Sequence, residues 1–470
     1  MDKPELIAFL DAQAPHDELW KRRHRYYYDR VAQIVRFHVP PGCSVLEIGC
    51  AQGDLLAALA PSRGVGVDIS PRALELARAR HPGLEFVHGD VERLSLEETF
   101  DYVVLSDVVG YLDDLQRAFE QLRRVCAPHT RVIVTYYNYL WEPLLRAGER
   151  LGLKRPQPDQ NWLAAEDIRN LLSLADFQTI SRGYDLLLPL GVPLLAPLCN
   201  RVLAHLPLVR RLALVNILVA RPAPAAVDES ALSCSVIVPA RNECGNIADA
   251  VARTPRLGRH TELIFVEGGS SDGTAAEIER VIAANPARDI KLVRQGAGVG
   301  KGDAVRRGFA AASGDVLMIL DADLTVPPED LPKFLRVLAS GRGEFVNGCR
   351  LVYPMERQAM RFLNVLGNKF FSMAFTYLLD QRFKDTLCGT KVLLRRDYER
   401  IAAGRAYFGD FDPFGDFDLI FGAAKLDLAI AEVPIRYRER TYGSTQISRF
   451  RHGLLLLRMC WFALRRIKFA

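Results

Sequence analysis

Short apolar runs that end at glycines or acidic residues recur along this chain. One run, residues 316–320, is followed directly by Asp321, Ala322 and Asp323. Such runs, bounded by turn residues, are typical of buried parallel strands, and open α/β sheets bind ligands beyond the carboxyl ends of those strands. The pattern therefore predicts an α/β protein with polar sites at its strand ends. Asp321 and Asp323 would face opposite sides of an extended chain, so that one binds a divalent cation and the other a sugar hydroxyl.

The first half of the chain contains four predicted strands that each end near an acidic residue. The first, residues 44–48, runs into a glycine-bearing turn and then a helix, and such a turn lets a ligand approach the backbone. The second ends at Asp68, which lies 21 residues after Glu47. That separation is near the ~20 residues at which a carboxylate reaches ribose hydroxyls in a βαβ nucleoside site. The other two strands end at Asp90 and Asp107, so we expect a nucleoside site here.

This succession, over roughly residues 20 to 220, resembles the class I S-adenosylmethionine-dependent methyltransferases. The family's E/D-x-G-x-G-x-G turn has alanine at its middle glycine here and comprises Glu47, Gly49, Ala51 and Gly53. The resemblance implies S-adenosylmethionine as cofactor, held by this turn, with Asp68 on the ribose hydroxyls, Asp90 on the adenine amino group, and Ser106 and Asp107 along the path to the methyl group. A nicotinamide-binding Rossmann domain is the alternative, and the missing third glycine of G-x-G-x-x-G counts against it.

Methyl transfer to a hydroxyl is an in-line displacement that is helped by positioning and by a base. Asp107, Tyr111 and His88 are candidate bases by their placement, although His88 precedes a glycine turn and fits a surface residue equally well. No residue in this half identifies the methyl acceptor.

A second α/β pattern begins at Ser235. Residues 235–238 run into Pro239, and residues 263–266 run into Glu267. If the connections are right-handed crossovers, both strand ends meet the Asp321 strand at one edge of a parallel sheet. The sequence therefore predicts three acidic loops that converge.

Residues 232 to about 450 resemble glycosyltransferase family 2, in its dolichol-phosphate mannose synthase-like branch with a GT-A fold. The resemblance implies a nucleotide sugar, UDP- or GDP-linked, bound by Pro239, Arg241, Asn242, Glu243, Glu267, Asp272, Lys301 and Asp321. It implies Mg²⁺ or Mn²⁺ at Asp321 and Asp323. The family's phosphate-binding arginines correspond to Arg350, Arg361 and Arg440, and guanidinium groups suit phosphate oxygens.

Two acceptor classes remain open. A polyprenyl phosphate is already an anion and needs only cationic positioning, which the three arginines favour. A sugar hydroxyl of a glycan or a soluble acceptor needs a base, and Asp416 could serve as that base. Either reaction would be a direct displacement that inverts the anomeric carbon.

Charge, cysteine content and the C-terminal composition limit the partners and the cellular compartment that we expect. A net charge of +5 spread over 470 residues does not indicate nucleic acid binding. Nine cysteines without a C-x-x-C pair favour a reducing compartment, and no signal peptide is recognised. The basic, leucine-rich stretch 447–470 predicts either a helix at a membrane surface or an ordinary docking helix. We expect a cytoplasmic protein, and in the first case one peripheral on the inner face of the membrane.

The predicted fold class is α/β, with a Rossmann-like methyltransferase domain plus a GT-A (nucleotide-diphosphosugar transferase) domain. We predict the methyltransferase domain over 1–221, a Pro/Ala linker over 222–231, the glycosyltransferase domain over 232–446 and an amphipathic helix over 447–470. The predicted function is a bifunctional transferase in cell-surface glycan assembly. In the alternative, the N-terminal domain only binds S-adenosylmethionine or the acceptor.

Overall fold

The chain forms two compact units, Met1–Ala223 with Lys468–Ala470 and Pro224–Ile467. The structure, a computed structural model, describes residues 2–298, 300–353, 362–407, 416–440, 442 and 449–468, and of residues 362–366, 416, 449–453 and 467 it describes the backbone alone. Within these residues, no helix is long and apolar enough to cross a membrane.

Unit 1 is built on a seven-stranded sheet with helices on both faces. Its strands are β1 (Ser44–Ile48), β2 (Arg63–Asp68), β3 (Glu85–His88), β4 (Phe100–Ser106), β5 (Cys126–Tyr137), β6 (Phe177–Asp185) and β7 (Val215–Pro222). Its α-helices are α1 (Lys3–Gln13), α2 (Asp17–Arg23), α3 (Arg25–His38), α4 (Asp54–Ala58), α5 (Pro71–Arg80), α6 (Leu115–Leu122), α7 (Glu142–Arg150), α8 (Ala165–Leu174) and α9 (Leu195–Pro197).

The strand order of this sheet is β3-β2-β1-β4-β5-β7-β6. Strands β1 to β5 pair in parallel, and β7 runs antiparallel to both β5 and β6. Because successive residues of a strand face opposite sides, Val45 and Leu46 enter two different core layers. The chain direction across the sheet reverses between β1 and β4, which is where a doubly wound sheet opens a crevice for ligands.

Unit 2 contains a second seven-stranded sheet. Its strands are β8 (Ser233–Ala240), β9 (His260–Glu267), β10 (Asp289–Arg294), β11 (Val316–Ile319), β12 (Phe345–Cys349), β13 (Lys391–Leu394) and β14 (Ile430–Pro434). Its α-helices are α10 (Ile247–Arg253), α11 (Thr274–Ala284), α12 (Gly300–Ala311), α13 (Leu331–Ala339), α14 (Phe362–Leu379), α15 (Arg395–Ala403), α16 (Asp416–Lys425) and α17 (Arg449–Ala463).

The order in this sheet is β10-β9-β8-β11-β13-β12-β14. Strands β8 to β11 are parallel, as the sequence predicted, whereas β13 runs antiparallel to β11 and β12. The strand β11 is fully buried, with Val316 and Met318 in one core layer and Leu317 and Ile319 in the other. The α/β fold class is confirmed in both units, and β8, β9 and β11 bring three loops to one edge.

A buried carboxylate secures the start of β11. Glu262 on β9 accepts hydrogen bonds from the hydroxyl of Ser235, from the backbone N–H of Ser313 at 2.5 Å and from that of Gly314 at 3.1 Å, and it pairs with Lys291. Burial alone would raise the pKa of Glu262, but the Lys291 ammonium and these donors lower it to about 2. The turn that leads into the Asp321 strand is therefore held by an ionised side chain.

We expect Glu262→Gln to destabilise unit 2 by about 2–3 kcal/mol at pH 7. The carboxylate's contribution is complete above the unfolded pKa near 4.5 and is lost as the pH falls towards 2. The difference between wild type and variant should therefore shrink at pH 3. Urea denaturation followed by circular dichroism measures this difference in unfolding free energy. Limited proteolysis assigns each transition to its unit.

Glu279→Gln, which removes an exposed partner of Arg294 in the same unit, is the matched control and should change stability little. An equal loss in both variants, or a Glu262→Gln effect that does not depend on pH, would contradict the assignment.

Candidate functional site

Unit 1 contains a cavity of about 510 Å³ at the carboxyl ends of β1, β2 and β4. Seven of the eight residues predicted to bind a cofactor border this cavity: Glu47, Gly49, Ala51, Asp68, Asp90, Ser106 and Asp107. The eighth, Gly53, follows in the same turn as Gly49 and Ala51. Side chains of α1, α2 and α3 also line this cavity, among them Lys3, Lys21 and Tyr28. The helices that precede the first strand are thus part of the site.

The turn after β1 is shaped for close approach of a ligand. Gly49, Ala51 and Gly53 all have positive φ, at 72°, 45° and 75°, and a side chain at Gly49 would collide with Val108. Asp68 closes the turn, because its two carboxylate oxygens accept the backbone N–H groups of Ala51 and Ser70, each at 2.8 Å. Asp68 therefore orients the loop and keeps its other lone pairs for a ligand.

Two further carboxyl groups line the same cavity in different states. Burial raises the pKa of Glu47 to about 8, so this carboxyl is protonated at neutral pH. Its Oε2 accepts the backbone N–H of Leu56 at 3.0 Å. Asp90 is held by the ammonium group of Lys3 at 2.6 Å and accepts the backbone N–H of Glu92. Hence burial favours the neutral form of Glu47, whereas Asp90 is paired with an ammonium group.

Asp107 is the buried carboxyl group at the end of β4. It has a φ of 54°, and its Oδ2 accepts the hydroxyl of Tyr27 at 2.5 Å. Its Oδ1 is buried and accepts no hydrogen bond within the described part of the chain. Burial raises the pKa of Asp107 to about 6, although the bond from Tyr27 lowers it. Asp107 is thus, with Glu47, one of two carboxyl groups in this cavity whose raised pKa lies near neutral pH.

The other candidate bases differ from Asp107. Tyr111 lines the cavity, and burial raises the pKa of its phenol further above neutrality. His88 is exposed, with its ring beside the carbonyl oxygen of Ile69. No motif marked Tyr27, whose only signal was a run of three tyrosines before the first strand.

In unit 2 the loops after β8, β9 and β11 meet. Asp321 pairs with the ammonium of Lys301 at 2.5 Å. Asp323 pairs with the guanidinium of Arg440 at 2.6 Å, and Arg440 also contacts Glu243 at 3.2 Å. Burial opposes ionisation of Asp321, but Lys301 overrides it and lowers the pKa of this carboxyl. The structure therefore brings these three acids and two cations together from distant positions in the sequence.

The first two of these loops are bound to each other. Asn242, with a φ of 56°, donates its backbone N–H to the hydroxyl of Ser270 and accepts the N–H of Ser271 on its side-chain oxygen at 2.9 Å. Asp272 accepts the N–H of Cys244 at 3.1 Å. Glu267 is buried and caps its own loop by accepting the N–H of Ser270 at 2.6 Å. These predicted residues therefore form one continuous rim, and Pro239 and exposed Arg241 lead into it.

The third loop is shaped by Thr325 and Gly389. Thr325 donates both its hydroxyl, at 2.8 Å, and its N–H to Asp323 Oδ1. Gly389 packs so closely against Asp321 and Lys301 that a Cβ there would overlap both. The contact of Gly389 joins parts of the chain far apart in sequence, so no local pattern indicated it, whereas Thr325 contacts an acid only two residues before it.

The predicted phosphate-binding arginines do not act alike. Arg350 is buried and forms a two-pronged pair with Asp385, at 2.7 and 2.8 Å. Its guanidinium pairs with this carboxylate because a buried charge must be paired, and its contact with a phosphate stays a prediction. Arg440 contacts Asp323 directly. Arg361 and the side chain of Asp416 lie outside the described residues.

The C-terminal helix α17 is partly docked on its own unit. Leu456, Met459 and Ala463 are buried in a core layer of unit 2. Leu454 and Trp461 are exposed. The docking alternative thus accounts for one side of this helix.

Each unit is an α/β domain with polar loops at the carboxyl ends of its parallel strands, the class of domain that binds nucleotide-type ligands. Comparison with known protein families identifies the family of each domain. Residues 19–182 match the methyltransferase domain family, and residues 235–401 match glycosyl transferase family 2. The chain is thus a fusion of a methyltransferase domain with a glycosyl transferase family 2 domain, and the predicted pairing of two enzyme families is confirmed.

Individual relatives match the second domain. The undecaprenyl-phosphate 4-deoxy-4-formamido-L-arabinose transferase of Pectobacterium carotovorum is 36% identical over 111 residues, which is 23% of this chain and 34% of that protein. The dolichol-phosphate mannosyltransferase of Pyrococcus furiosus is 34% identical over 112 residues, 23% of this chain and 31% of that protein. The chain thus matches about a third of the length of each of these relatives.

Solved methyltransferase structures match part of this chain. The N-methyltransferase NodS of Bradyrhizobium japonicum in complex with S-adenosyl-L-homocysteine is 19% identical, with a TM-score of 0.34, and the match covers 47% of this chain and 99% of NodS.

We expect Asp107→Asn to stabilise unit 1 at pH 7 by about 1–3 kcal/mol. Because folding raises the pKa of Asp107 from 3.8 to about 6, the wild type should lose stability as the pH rises between these values. The variant should lose less stability over this range, because only the share of Asp107 is removed while Glu47, whose pKa is also raised, still contributes. Urea denaturation at pH 4.5 and 7 reports it through tryptophan fluorescence, since Trp20, Trp141 and Trp162 lie in unit 1.

Asp176→Asn is the control, because Asp176 also has a positive φ, 56°, but its side chain is exposed. It should leave the pH dependence unchanged. If the stabilities of wild type and Asp107→Asn change equally over this range, the raised pKa of Asp107 is refuted.

Proposed function

We propose that the chain is a bifunctional transferase that uses S-adenosylmethionine in unit 1 and a nucleotide sugar in unit 2. The observation that carries this is the pair of strand-end sites, each with buried or paired carboxylates at the carboxyl ends of parallel strands. The family matches of the two units support it.

In unit 2 we propose inverting sugar transfer to a polyprenyl phosphate or a glycan. An acceptor oxygen forms the new bond to the anomeric carbon while the bond to the nucleoside diphosphate breaks, and the diphosphate leaves with the electron pair. A phosphate acceptor has no proton to lose, whereas a glycan hydroxyl would give its proton to a base, for which Asp416 is the sequence-predicted candidate. The rim of Asn242, Glu267 and Asp272 would hold the nucleoside. Lys301 and Arg440 are the cations that can turn from the carboxylates to the diphosphate, which favours a charged leaving group and acceptor.

A divalent cation fits the donors of this site. Carboxylate oxygens are the ligands that Mg²⁺ and Mn²⁺ prefer, and Asp321 and Asp323 already neutralise positive charge here. No group of three or more acidic, cysteine or histidine ligands occurs within the described ranges, so phosphate oxygens and water would complete the coordination. The cation would supply charge neutralisation at the leaving diphosphate.

In unit 1 we propose methyl transfer from S-adenosylmethionine, with Asp107 as proton acceptor. Asp68 and the turn after β1 would bind the nucleoside. The unpaired, buried Oδ1 of Asp107 can accept the proton of a substrate hydroxyl, and a pKa of about 6 suits a base near neutral pH. The alternative, a domain that binds S-adenosylmethionine without reaction, rests on Ala51, whose side chain occupies a turn position where the family has glycine.

Asp323→Asn should reduce sugar transfer by at least about a hundredfold, because the site loses a charged ligand at the leaving group. Release of nucleoside diphosphate from UDP- or GDP-sugars measures it. Binding of Mn²⁺, followed by electron paramagnetic resonance, should weaken in parallel and is independent of turnover.

The control is Asp330→Asn, which removes a surface partner of Lys333 in the same unit. It should keep both properties. Full transfer by Asp323→Asn would refute the metal assignment.

Calorimetry should show that unit 1 of the full chain binds S-adenosylmethionine, and that Asp68→Asn weakens binding about tenfold or more, because a ribose hydroxyl loses a charged acceptor. Asp176→Asn serves again as the exposed control. A methyl-transfer assay on the glycan product then separates an active methyltransferase from a domain that only binds S-adenosylmethionine. Binding without methylated product favours the binding-only domain. If S-adenosylmethionine does not bind, both alternatives are contradicted.

A further inference from the structure

The connection between β6 and β7, residues 186–214, is distinguished by its composition. We call it the β6–β7 insertion. It is dominated by leucine, valine and proline, contains no acidic residue, and carries three arginines, Arg201, Arg210 and Arg211. It consists of short helical turns between two antiparallel strands, and neither the cavity nor the predicted site residues belong to it.

The apolar side chains of the β6–β7 insertion face outward. Leu194 and Leu208 are each 89% exposed, more than any other large apolar side chain described. The exposed members of the insertion are Leu190, Val192, Leu194, Leu195, Leu198, Val202, Leu206, Leu208 and Leu212. Exposed apolar patches of this kind mark contact surfaces, because leaving so many leucines in water is unfavourable.

Polar groups hold the β6–β7 insertion in place from within. The side chain of Asn200, buried at 1% exposure, accepts the N–H of Leu188 and donates to its carbonyl, both at 2.8 Å, and also donates to the hydroxyl of Tyr26. His205 is buried as well, close to Asp185. The insertion is thus anchored by polar contacts and exposes leucines, the reverse of an ordinary water-facing loop.

The exposed apolar surface of the β6–β7 insertion, which we call the patch, continues onto residues 138–141, directly before α7. Asn138 donates its side-chain N–H groups to the carbonyls of Arg211 and Ala213, each at 2.9 Å, and the indole N–H of Trp141 donates to the carbonyl of Leu212 at 2.8 Å. Tyr139 and Leu140, between these two residues, are exposed. Two segments distant in sequence therefore present one apolar surface.

We propose that the β6–β7 insertion is the surface through which unit 1 binds an anionic lipid bilayer, its leucines entering the headgroup region. Exposed Arg201 and Arg211 would meet lipid phosphates, and the absence of acidic residues removes the repulsion that such a surface would otherwise meet. The helical turns of the insertion are three to five residues long, too short to span a membrane, and prolines interrupt the segment, so the insertion fits binding at the interface. This assignment does not depend on the proposed reactions.

Sedimentation of the full chain with lipid vesicles tests this. The protein should bind vesicles of phosphatidylcholine with phosphatidylglycerol more tightly than vesicles of phosphatidylcholine alone. Leu194→Ser combined with Leu208→Ser should reduce the binding constant more than about tenfold. The matched control is Leu19→Ser combined with Leu174→Ser, two exposed leucines of unit 1 outside the patch, which should bind as the wild type does.

The charge requirement is tested separately. Arg211→Gln should weaken binding to the anionic vesicles roughly fivefold. Arg22→Gln, at an exposed site on α2, should not.

Three results would overturn the proposal. One is unchanged vesicle binding in the leucine pair. Another is loss of binding only on Leu454→Ser with Leu457→Ser, which would place the contact on α17. The third is a dimer, seen by light scattering, that the leucine pair dissociates while no vesicle binding occurs, since a second copy would then cover the patch.

Discussion

The two sites depend on one constraint: a carboxylate at the buried end of a parallel strand must have its charge balanced by donors or cations. Asp68 is balanced by backbone N–H groups of the loop beside it, and Asp321 by Lys301 at the first turn of α12, the helix that precedes its strand. In both cases the partner comes from a segment adjacent to the ligand space. The contacts that make burial of the charge tolerable are therefore also the contacts that shape the site.

The two units meet this constraint in different ways, which has chemical consequences. In unit 1, burial raises the pKa of Glu47 to about 8 and that of Asp107 to about 6, so burial opposes negative charge around the proposed place of methyl transfer. In unit 2, Lys301 lowers the pKa of Asp321, and Arg440 pairs with Asp323. A sulfonium cofactor and a diphosphate leaving group have opposite charges, and each proposed environment suits its own substrate. Joining the domains raises the effective concentration of an intermediate only if both sites act on one molecule.

The proposed contact with a bilayer would help both sites to act on one membrane-bound molecule. A polyprenyl acceptor is confined to a membrane, and a unit that binds the same surface meets it in two dimensions. The β6–β7 insertion lies at the antiparallel edge of the sheet of unit 1, where strand β7 returns between β5 and β6. An insertion at this edge can vary without disturbing the strands that carry the cofactor residues.

Much of the fold and of the candidate sites followed from local patterns. Apolar runs with polar ends identified the strands β1, β2, β4, β8, β9 and β11, and the acids that follow them, because strand burial and the crossover rule depend on neighbouring residues. Asp416 and Arg361 remain predictions from the sequence. The sequence also predicted that three acidic loops would converge, since parallel strands place their carboxyl ends at one edge.

What the tertiary structure alone decided is which group pairs with which. Arg350 had the same local signal as Arg440, but folding places it against Asp385 in the interior, where a charge must be neutralised. Tyr27 reaches Asp107 across 80 positions, and Leu212 meets Trp141 across 71. The sequence by itself determined the two domain families and the acids at their strand ends, because those depend on local periodicity. Charge state and exposure arise from contacts between distant segments, and so only the folded chain settled them.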